Sequence, residues 1–305
     1  LLVFLGLTAA ACSQEPETVE VTRVVEVEVA SEPVEVPVEV TRVVEVMVEP
    51  ETAVSTIPFE AQWAASGHAD ASAEAFVHWN EDDPAEVPAD CAKCHSTPGF
   101  LDFLGADGTA FGAVDAAAPL GSTIECEACH NDVAVDLSSV VFPSGAEITG
   151  LGAEARCMQC HQGRASTVTV NDSIVSAGLD PQADLDTVSA DLGFTNIHYY
   201  AAAATRFGTW AMGGYEYEGQ SYDPKFDHVE GYDTCTSCHD PHTLEVQFDE
   251  CTVCHTDLRD AEDLVDIRMP GSLVDYDGDG DMDEGVFFEI EDMRVILYDL
   301  MQTYA

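Results

Sequence analysis

Five Cys-x-x-Cys-His pentapeptides recur along this chain, at Cys91/Cys94/His95, Cys126/Cys129/His130, Cys157/Cys160/His161, Cys235/Cys238/His239 and Cys251/Cys254/His255. Two thiols one short turn apart can reach the two vinyl groups of a single haem. The adjoining imidazole then falls on the iron, so each motif reads as a covalent haem attachment signal. Two other chemistries use paired cysteines. A structural zinc site wants four nitrogen or sulfur ligands, usually two Cys pairs with their own spacing, and five identical pairs each followed by His fit it poorly. A thioredoxin-like redox pair is normally single and sits beside a βαβ pattern, which this sequence lacks.

The histidine count sharpens the expectation. The chain has 10 histidines. Assigning one per motif as the proximal ligand leaves His68, His78, His198, His228 and His242, one spare imidazole for each iron. These five are expected as distal ligands, giving bis-His irons with both axial positions filled. A filled iron carries electrons and does not readily bind substrate. Met158, Met212 and Met269 are the alternative axial candidates, weighed against ordinary packing roles. His242 lies three residues beyond His239. It cannot comfortably reach the opposite face of the same haem and is expected to ligate a neighbouring one.

Motif starts lie 35, 31, 78 and 16 residues apart. Residues 55–262 form the expected pentahaem body, and from 55 to the end there are roughly 50 residues per haem. That is little protein for a conventional core, so the haem faces must supply much of the buried apolar surface. The expected fold is mainly α with extensive loops and few short strands. Ile197–Arg206 reads as a helix carrying His198, and Glu60–Trp79 as one or two helices carrying His68 and His78. Val140–Phe142 and Ser166–Val170 read as short strands of minor hairpins.

Residues 1–11 are almost wholly apolar with small residues at the end, like the back of a signal peptide. With no charged front and no initiator Met, the sequence is expected to begin inside an export signal. Leu7-Thr8-Ala9-Ala10-Ala11-Cys12 resembles a bacterial lipobox, departing from it at Ala9, where Leu, Ile or Val is usual. Cys12 is the one cysteine of 11 outside the haem motifs, so it is the expected lipidation site. Residues 12–54 then form a stalk in which Val19–Val27 returns as Val38–Val46, a Val/Glu alternation broken by Pro16, Pro33, Pro37 and Pro50. A strand pair packing on the body or on another copy is the competing reading. The expected location is extracytoplasmic and lipid-anchored, in the periplasm or at the cell surface.

Residues 263–305 hold a different chemistry. Asp275, Asp277, Asp279, Asp281 and Asp283 alternate around Gly278 and Gly280, a hard-oxygen cluster of the kind calcium prefers. Read as an EF-hand loop, position 6 is Gly280, but position 12 is Val286 and supplies no bidentate carboxylate. A looser calcium loop closed by Glu284 or Glu289 is the expectation. Phe287, Ile290, Met293, Leu297, Leu300 and Tyr304 follow at helical spacing, and that helix is expected to cap the haem body.

Fifty-eight acids give a formal net charge of −48, which excludes nucleic acid as a natural partner. Against that background Arg156 and Arg164, flanking the third motif, are candidates for pairing with haem propionates.

The five motifs, with Cys235–His242, Trp63–His68 and the Asn196-Ile197-His198-Tyr199-Tyr200 segment, resemble bacterial multihaem c-type cytochromes over most of residues 60–260. The resemblance implies a multihaem cytochrome c fold, distal ligation by the histidines of those segments, and haems stacked in near-contact pairs that pass electrons. Pentahaem nitrite reductases belong to the same group and attach their catalytic haem through Cys-x-x-Cys-Lys, a motif not found here. The expected function is therefore electron transfer between redox protein partners or to an extracellular acceptor. The alternatives are a multihaem reductase of nitrogen or sulfur oxyanions with one open iron, and a subunit of a larger haem-conducting assembly.

Overall fold

The computed structural model describes residues 57–269 and 271–304; the expected export-signal remnant, Cys12 and the Val/Glu stalk lie outside the described residues. Short helices and turns make up most of it. Each of the first four motifs begins on a helix of one to two turns: Ala89–His95, Cys126–Cys129, Ala155–Cys160 and Cys235–Cys238. The fifth starts at the last residue of Phe248–Cys251, so Cys254 and His255 fall beyond the helix. Strand content among the described residues is two antiparallel pairs, Glu86–Val87 with Ala118–Pro119 and Ser139–Val141 with Glu147–Thr149. The fold is thus mainly α with few short strands and long loops.

Helices this short are not stable alone, and side-chain caps and packing hold them. Thr234 caps the fourth motif's helix in a reciprocal box with Ser237. Ser96 caps Thr97–Phe103, with Pro98 in the first turn. That helix crosses Ala89–His95 so closely that a Cβ at Gly99 would stand 2.4 Å from the Ala92 carbonyl oxygen. Only glycine permits this approach.

Buried apolar side chains fall into three small clusters. Val140, Phe142, Met158 and Phe207 anchor one with Ala155, Ala203, Ala204 and Ala211. Trp79, Val87, Ala92 and Ala118 form a second, and Phe100, Leu104, Ala128 and Ala134 a third. Alanines account for nine of the eighteen buried apolar residues, so the protein interior is thin.

Several local expectations are overturned. Ser166–Val170 is not a strand: Ser166 and Thr169 form a capping box that starts a helix at Thr167–Ser176. His198 is not helical either; its φ of 87° puts it in the left-handed region, and the helix begins at Ala202. His68 lies in a turn between Glu60–Ala64 and Glu74–Val77, and His78 is the C-cap of the second. The five attachment motifs are not equivalent, because Cys254 leaves the helical frame that carries the second cysteine of the other four. The Thr252 hydroxyl turns back to the Asp249 carbonyl at 2.8 Å, a local bond that competes with continuing the helix, and the β-branched Val253 follows. The Val286–Tyr304 helix forms, but Ile290, Leu297, Leu300 and Tyr304 remain exposed; it packs on the Ala261–Asp266 turn, and the Tyr304 hydroxyl donates to Asp186 Oδ1 at 3.2 Å.

One buried ion pair ties the middle of the chain together. Arg206 Nη1 donates to both carboxylate oxygens of Glu154, each at 2.9 Å, and Glu154 Oε2 also accepts the Cys235 backbone N–H at 2.9 Å. The Glu154 side chain is 8% exposed and that of Arg206 20%. Removing Glu154 leaves Arg206 only the longer contact to Asp227, at 3.5 Å, and takes the acceptor from the Cys235 N–H, so Glu154→Ala should lower the unfolding free energy by about 3 kcal/mol. Chemical denaturation reads this directly, and a loss under ~1 kcal/mol would make the pair no stronger than an exposed one.

Candidate metal centres

In the first four motifs the two cysteines stand three residues apart on one helical turn, so both sulfurs face the same way and the histidine follows at the helix end. The fifth reaches a similar spacing by a turn instead. The Cys251 carbonyl accepts the N–H of Cys254 at 3.2 Å and that of His255 at 2.9 Å. Cys254 is exposed, as is Cys126, whereas the other eight motif cysteines are partly buried. None of the ten motif cysteines is joined to another in a disulfide.

Three of the motif histidines are held by a backbone carbonyl at Nδ1: His95 by Ala75 at 2.9 Å, His161 by Tyr200 at 3.1 Å and His239 by Leu244 at 3.0 Å. A carbonyl only accepts, so Nδ1 carries the proton and Nε2 presents its lone pair outward. This is the tautomer and orientation that a metal-ligating imidazole needs.

The structure sets four motif histidines opposite four of the spare ones. His161 faces His68 with ring centroids 6.3 Å apart, His130 faces His242 at 6.2 Å, His255 faces His228 at 6.1 Å, and His95 faces His198 at 5.7 Å. In the last pair the two Nε2 atoms are 3.5 Å apart. An imidazole centroid stands about 1.1 Å from its nitrogen and a metal–nitrogen bond is about 2 Å, so two rings sharing one metal lie roughly 6 Å apart. The four separations fit that requirement. Interplanar angles differ, from 4° for His130/His242 through 26° and 36° to 76° for His95/His198.

His78 and His239 are not brought into such a pair. Among the described residues no histidine ring lies at that separation from either. His78 Nδ1 sits 2.8 Å from Glu74 Oε1, and its ring stands edge-on to Trp79.

Three of the paired rings, His68, His95 and His198, are pushed toward the neutral form, the form that can ligate. Burial, and then the charge of His161, lower His68 to about 4. Burial lowers His95, with His198 and Arg164 adding to it against the Ala75 hydrogen bond, and burial and then Arg164 lower His198. Zinc does not fit this donor set. Among the described residues, groupings of three or more metal-type side chains occur only in the acidic loop, and none gathers the motif cysteines and histidines.

The motifs also crowd one another. The thiols of Cys94 and Cys160 lie side by side, and their mutual hydrogen bonding lowers the first and raises the second. Cys157 and Cys235 are neighbours in the same way. Cys160 Sγ is 3.7 Å from the Lys93 carbonyl oxygen, and Arg156 Nη1 donates to the Cys129 carbonyl oxygen at 3.1 Å. Arg156 therefore ties the third motif to the second.

Of the methionines weighed as ligands, Met158 is buried in the first cluster and Met269 is 77% exposed. Met212 has a left-handed φ of 51° and gives its carbonyl to the Thr167 N–H. Sequence reasoning missed Trp79, edge-on to His95, and Phe59, stacked 4.5 Å from His242. The Glu74–His78 contact was readable as an i,i+4 pair.

In the acidic loop, Asp275, Asp277 and Glu289 form one grouping and Asp277, Asp279 and Glu284 another; Asp281 and Asp283 join neither. Glu289 is fully buried and already engaged. It accepts from Arg268 Nη1 at 2.6 Å and from the Tyr276 and Asp277 N–H groups. Asp277 Oδ2 and Glu284 Oε1 are buried without a partner, and desolvation and then the charges of Asp279 and Asp277 raise Glu284. No family model, curated protein or solved structure matches this chain.

The segment presenting His198 is zipped along residues 161–164. The Ala203 N–H donates to the His161 carbonyl at 3.0 Å, and the Arg164 N–H to that of Ile197 at 2.9 Å. Gly163, with φ 81°, sits beneath it, where a Cβ would stand 2.8 Å from Ile197 Cγ1 and 2.9 Å from its carbonyl oxygen. Gly163→Ala should therefore displace the His198 segment and cost about 1–3 kcal/mol in chemical unfolding. An unchanged midpoint would mean that this segment does not depend on the close approach.

Proposed function

We propose that this chain is an exported multihaem c-type cytochrome, with the multihaem cytochrome fold, that carries electrons between redox protein partners or to an extracellular acceptor. Each haem would be attached through the thioethers of one motif: Cys91/Cys94, Cys126/Cys129, Cys157/Cys160, Cys235/Cys238 or Cys251/Cys254. His95, His130, His161, His239 and His255 would be the proximal ligands. The observation that carries the reading is the set of four facing imidazole pairs, each joining a motif histidine to a spare histidine far away in sequence or in another motif's loop. Packed aromatic rings commonly meet at such separations, so what supports the reading is that a motif histidine is paired with a spare histidine four times over.

Haem iron, when bound, supplies a one-electron couple between its ferrous and ferric states. The chain's residues do the rest. His68, His242, His228 and His198 would close the distal positions of the third, second, fifth and first motifs. Backbone carbonyls of Ala75 and Tyr200 fix the ring orientation of His95 and His161, which sets ligand basicity. Contacts between motifs 1 and 3, 2 and 3, and 3 and 4 supply the closeness that electron transfer demands. The thin, alanine-rich interior suits a body in which porphyrin faces complete the buried surface. Lipidation at Cys12 and the stalk over 12–54 would tether that body to the membrane on its extracytoplasmic side.

We extend the proposal to a calcium ion held by Asp277, Asp279 and Glu284 at the start of the C-terminal helix. Divalent charge would relieve the crowding of these carboxylates and satisfy the two partnerless oxygens. Calcium chelation should then lower the thermal midpoint, with recovery on adding calcium back. A midpoint indifferent to chelator removes the ion from the account.

The unequal ring angles give the ligand assignment its own signature. Perpendicular axial imidazoles leave a ferric iron strongly anisotropic, whereas parallel ones give an ordinary rhombic low-spin signal. The oxidised protein should show both kinds by electron paramagnetic resonance. His198→Ala should remove the anisotropic signal alone and His242→Ala a rhombic one. Loss of the same signal in both variants would contradict the pairing.

A further inference from the structure

Four of the five motif histidines face a second imidazole; His239 does not. We propose that the iron held by His239 keeps its distal position open to a small neutral ligand of the diatomic kind, so that the fourth motif is a ligand-binding centre set into an electron carrier. This rests on the cytochrome reading above.

His239 is well formed as a proximal ligand. The Leu244 carbonyl holds its Nδ1 at 3.0 Å, and Leu244 is fixed for this by a left-handed φ of 65° and by its N–H bond to the Asp240 carbonyl. The bridge between His239 and Val246 closes the same loop. The nearest histidine in sequence, His242, is committed elsewhere. It faces His130 at 6.2 Å with planes 4° apart and is backed by Phe59.

His78 is the one spare histidine left, and it belongs to another neighbourhood. Glu74 holds its Nδ1, its ring abuts Trp79 at 5.0 Å, and Trp79 in turn abuts His95 at 5.3 Å. It therefore stands beside the first motif. First and fourth motifs meet different residues of the Ala155–Cys160 helix: Cys94 lies against Cys160, and Cys235 against Cys157. His78 is thus placed by contacts of the first motif, and His239 by its own loop.

The class of ligand follows from charge. With a formal charge of −48 on the chain, an oxyanion would approach against repulsion, whereas an uncharged diatomic would not.

The test is carbon monoxide uptake by the dithionite-reduced holoprotein, with haem content measured on the same samples. The proposal expects five haems and one carbon monoxide per chain in the wild type, the same uptake in His78→Ala, and loss of one haem together with the uptake in Cys235→Ser/Cys238→Ser. No uptake by the wild type with one equivalent gained in His78→Ala would make His78 the sixth ligand and overturn the proposal. No uptake by either, or uptake surviving the double cysteine variant, overturns it too. In all these cases a count of five wild-type haems leaves the cytochrome reading standing; a lower count overturns that reading and this proposal with it.

Discussion

The proposed arrangement depends on one geometric demand: two imidazoles, contributed by segments with no other reason to meet, must come to rest about 6 Å apart. One ring of each pair is placed locally, by a Cys-x-x-Cys turn that delivers the histidine at its end. The other must be brought in by the tertiary fold. His68 comes from the turn after the first helix to meet His161, and His198 from the long interval after the third motif to meet His95. His242 comes from the loop after the fourth motif to meet His130. Loops satisfy this demand more readily than long helices, because a loop residue can be set at any angle by a glycine, a left-handed φ or a carbonyl contact. The scarcity of regular structure follows from it.

The Ala155–Cys160 helix is where these demands converge. It contributes Met158 to the largest apolar cluster, sets Cys160 against the first motif and Cys157 against the fourth, and sends Arg156 to the second. Glu154, at its entrance, binds both Arg206 and the backbone of Cys235. A buried carboxylate satisfied by a guanidinium and an amide is costly to disturb, so the third motif is held in place from several directions. For an electron carrier this makes the third motif a junction with three neighbours. The fifth follows the fourth after a short interval, and its Cys254 is exposed.

The residues of the proposed haem sites stood out in the sequence, and the reason is chemical. Covalent attachment and axial ligation demand particular residue types at particular spacings, so the motifs and the five spare histidines could be picked out without a fold. Mainly helical character with few strands was legible too, from short apolar runs among Gly, Pro and Asp. Which histidine meets which was not, because partners up to 112 residues apart are chosen by tertiary packing alone. The exact count of ten histidines suggested five closed pairs; the fold forms four and sets His78 beside Trp79. Identical spacing also hid the difference at Cys254, where the helix has already ended at Cys251. The Ser166–Val170 run was misread because β-branched residues favour strands, yet the Ser166/Thr169 capping box wins locally. His198 was read as helical from the alanines that follow it, whereas the side chain of Asn196 accepts its N–H at 2.8 Å and holds the segment in a turn. In the acidic loop Glu284 or Glu289 was expected to close a calcium site; Glu289 binds Arg268 and the loop amides instead, whereas Glu284 groups with Asp277 and Asp279.

The central claim is that the ten motif cysteines are thioether anchors rather than thiols, disulfides or zinc ligands. Intact mass spectrometry of the chain, matured with the cytochrome c assembly machinery and measured under fully denaturing, metal-free conditions, tests it most directly. Covalent haem survives denaturation, whereas zinc and loosely held haem do not. The account predicts a mass equal to the processed polypeptide plus five haems, with no thiol left in the motifs to alkylate. A mass matching the bare polypeptide, with the motif cysteines alkylated or joined as disulfides, would contradict it.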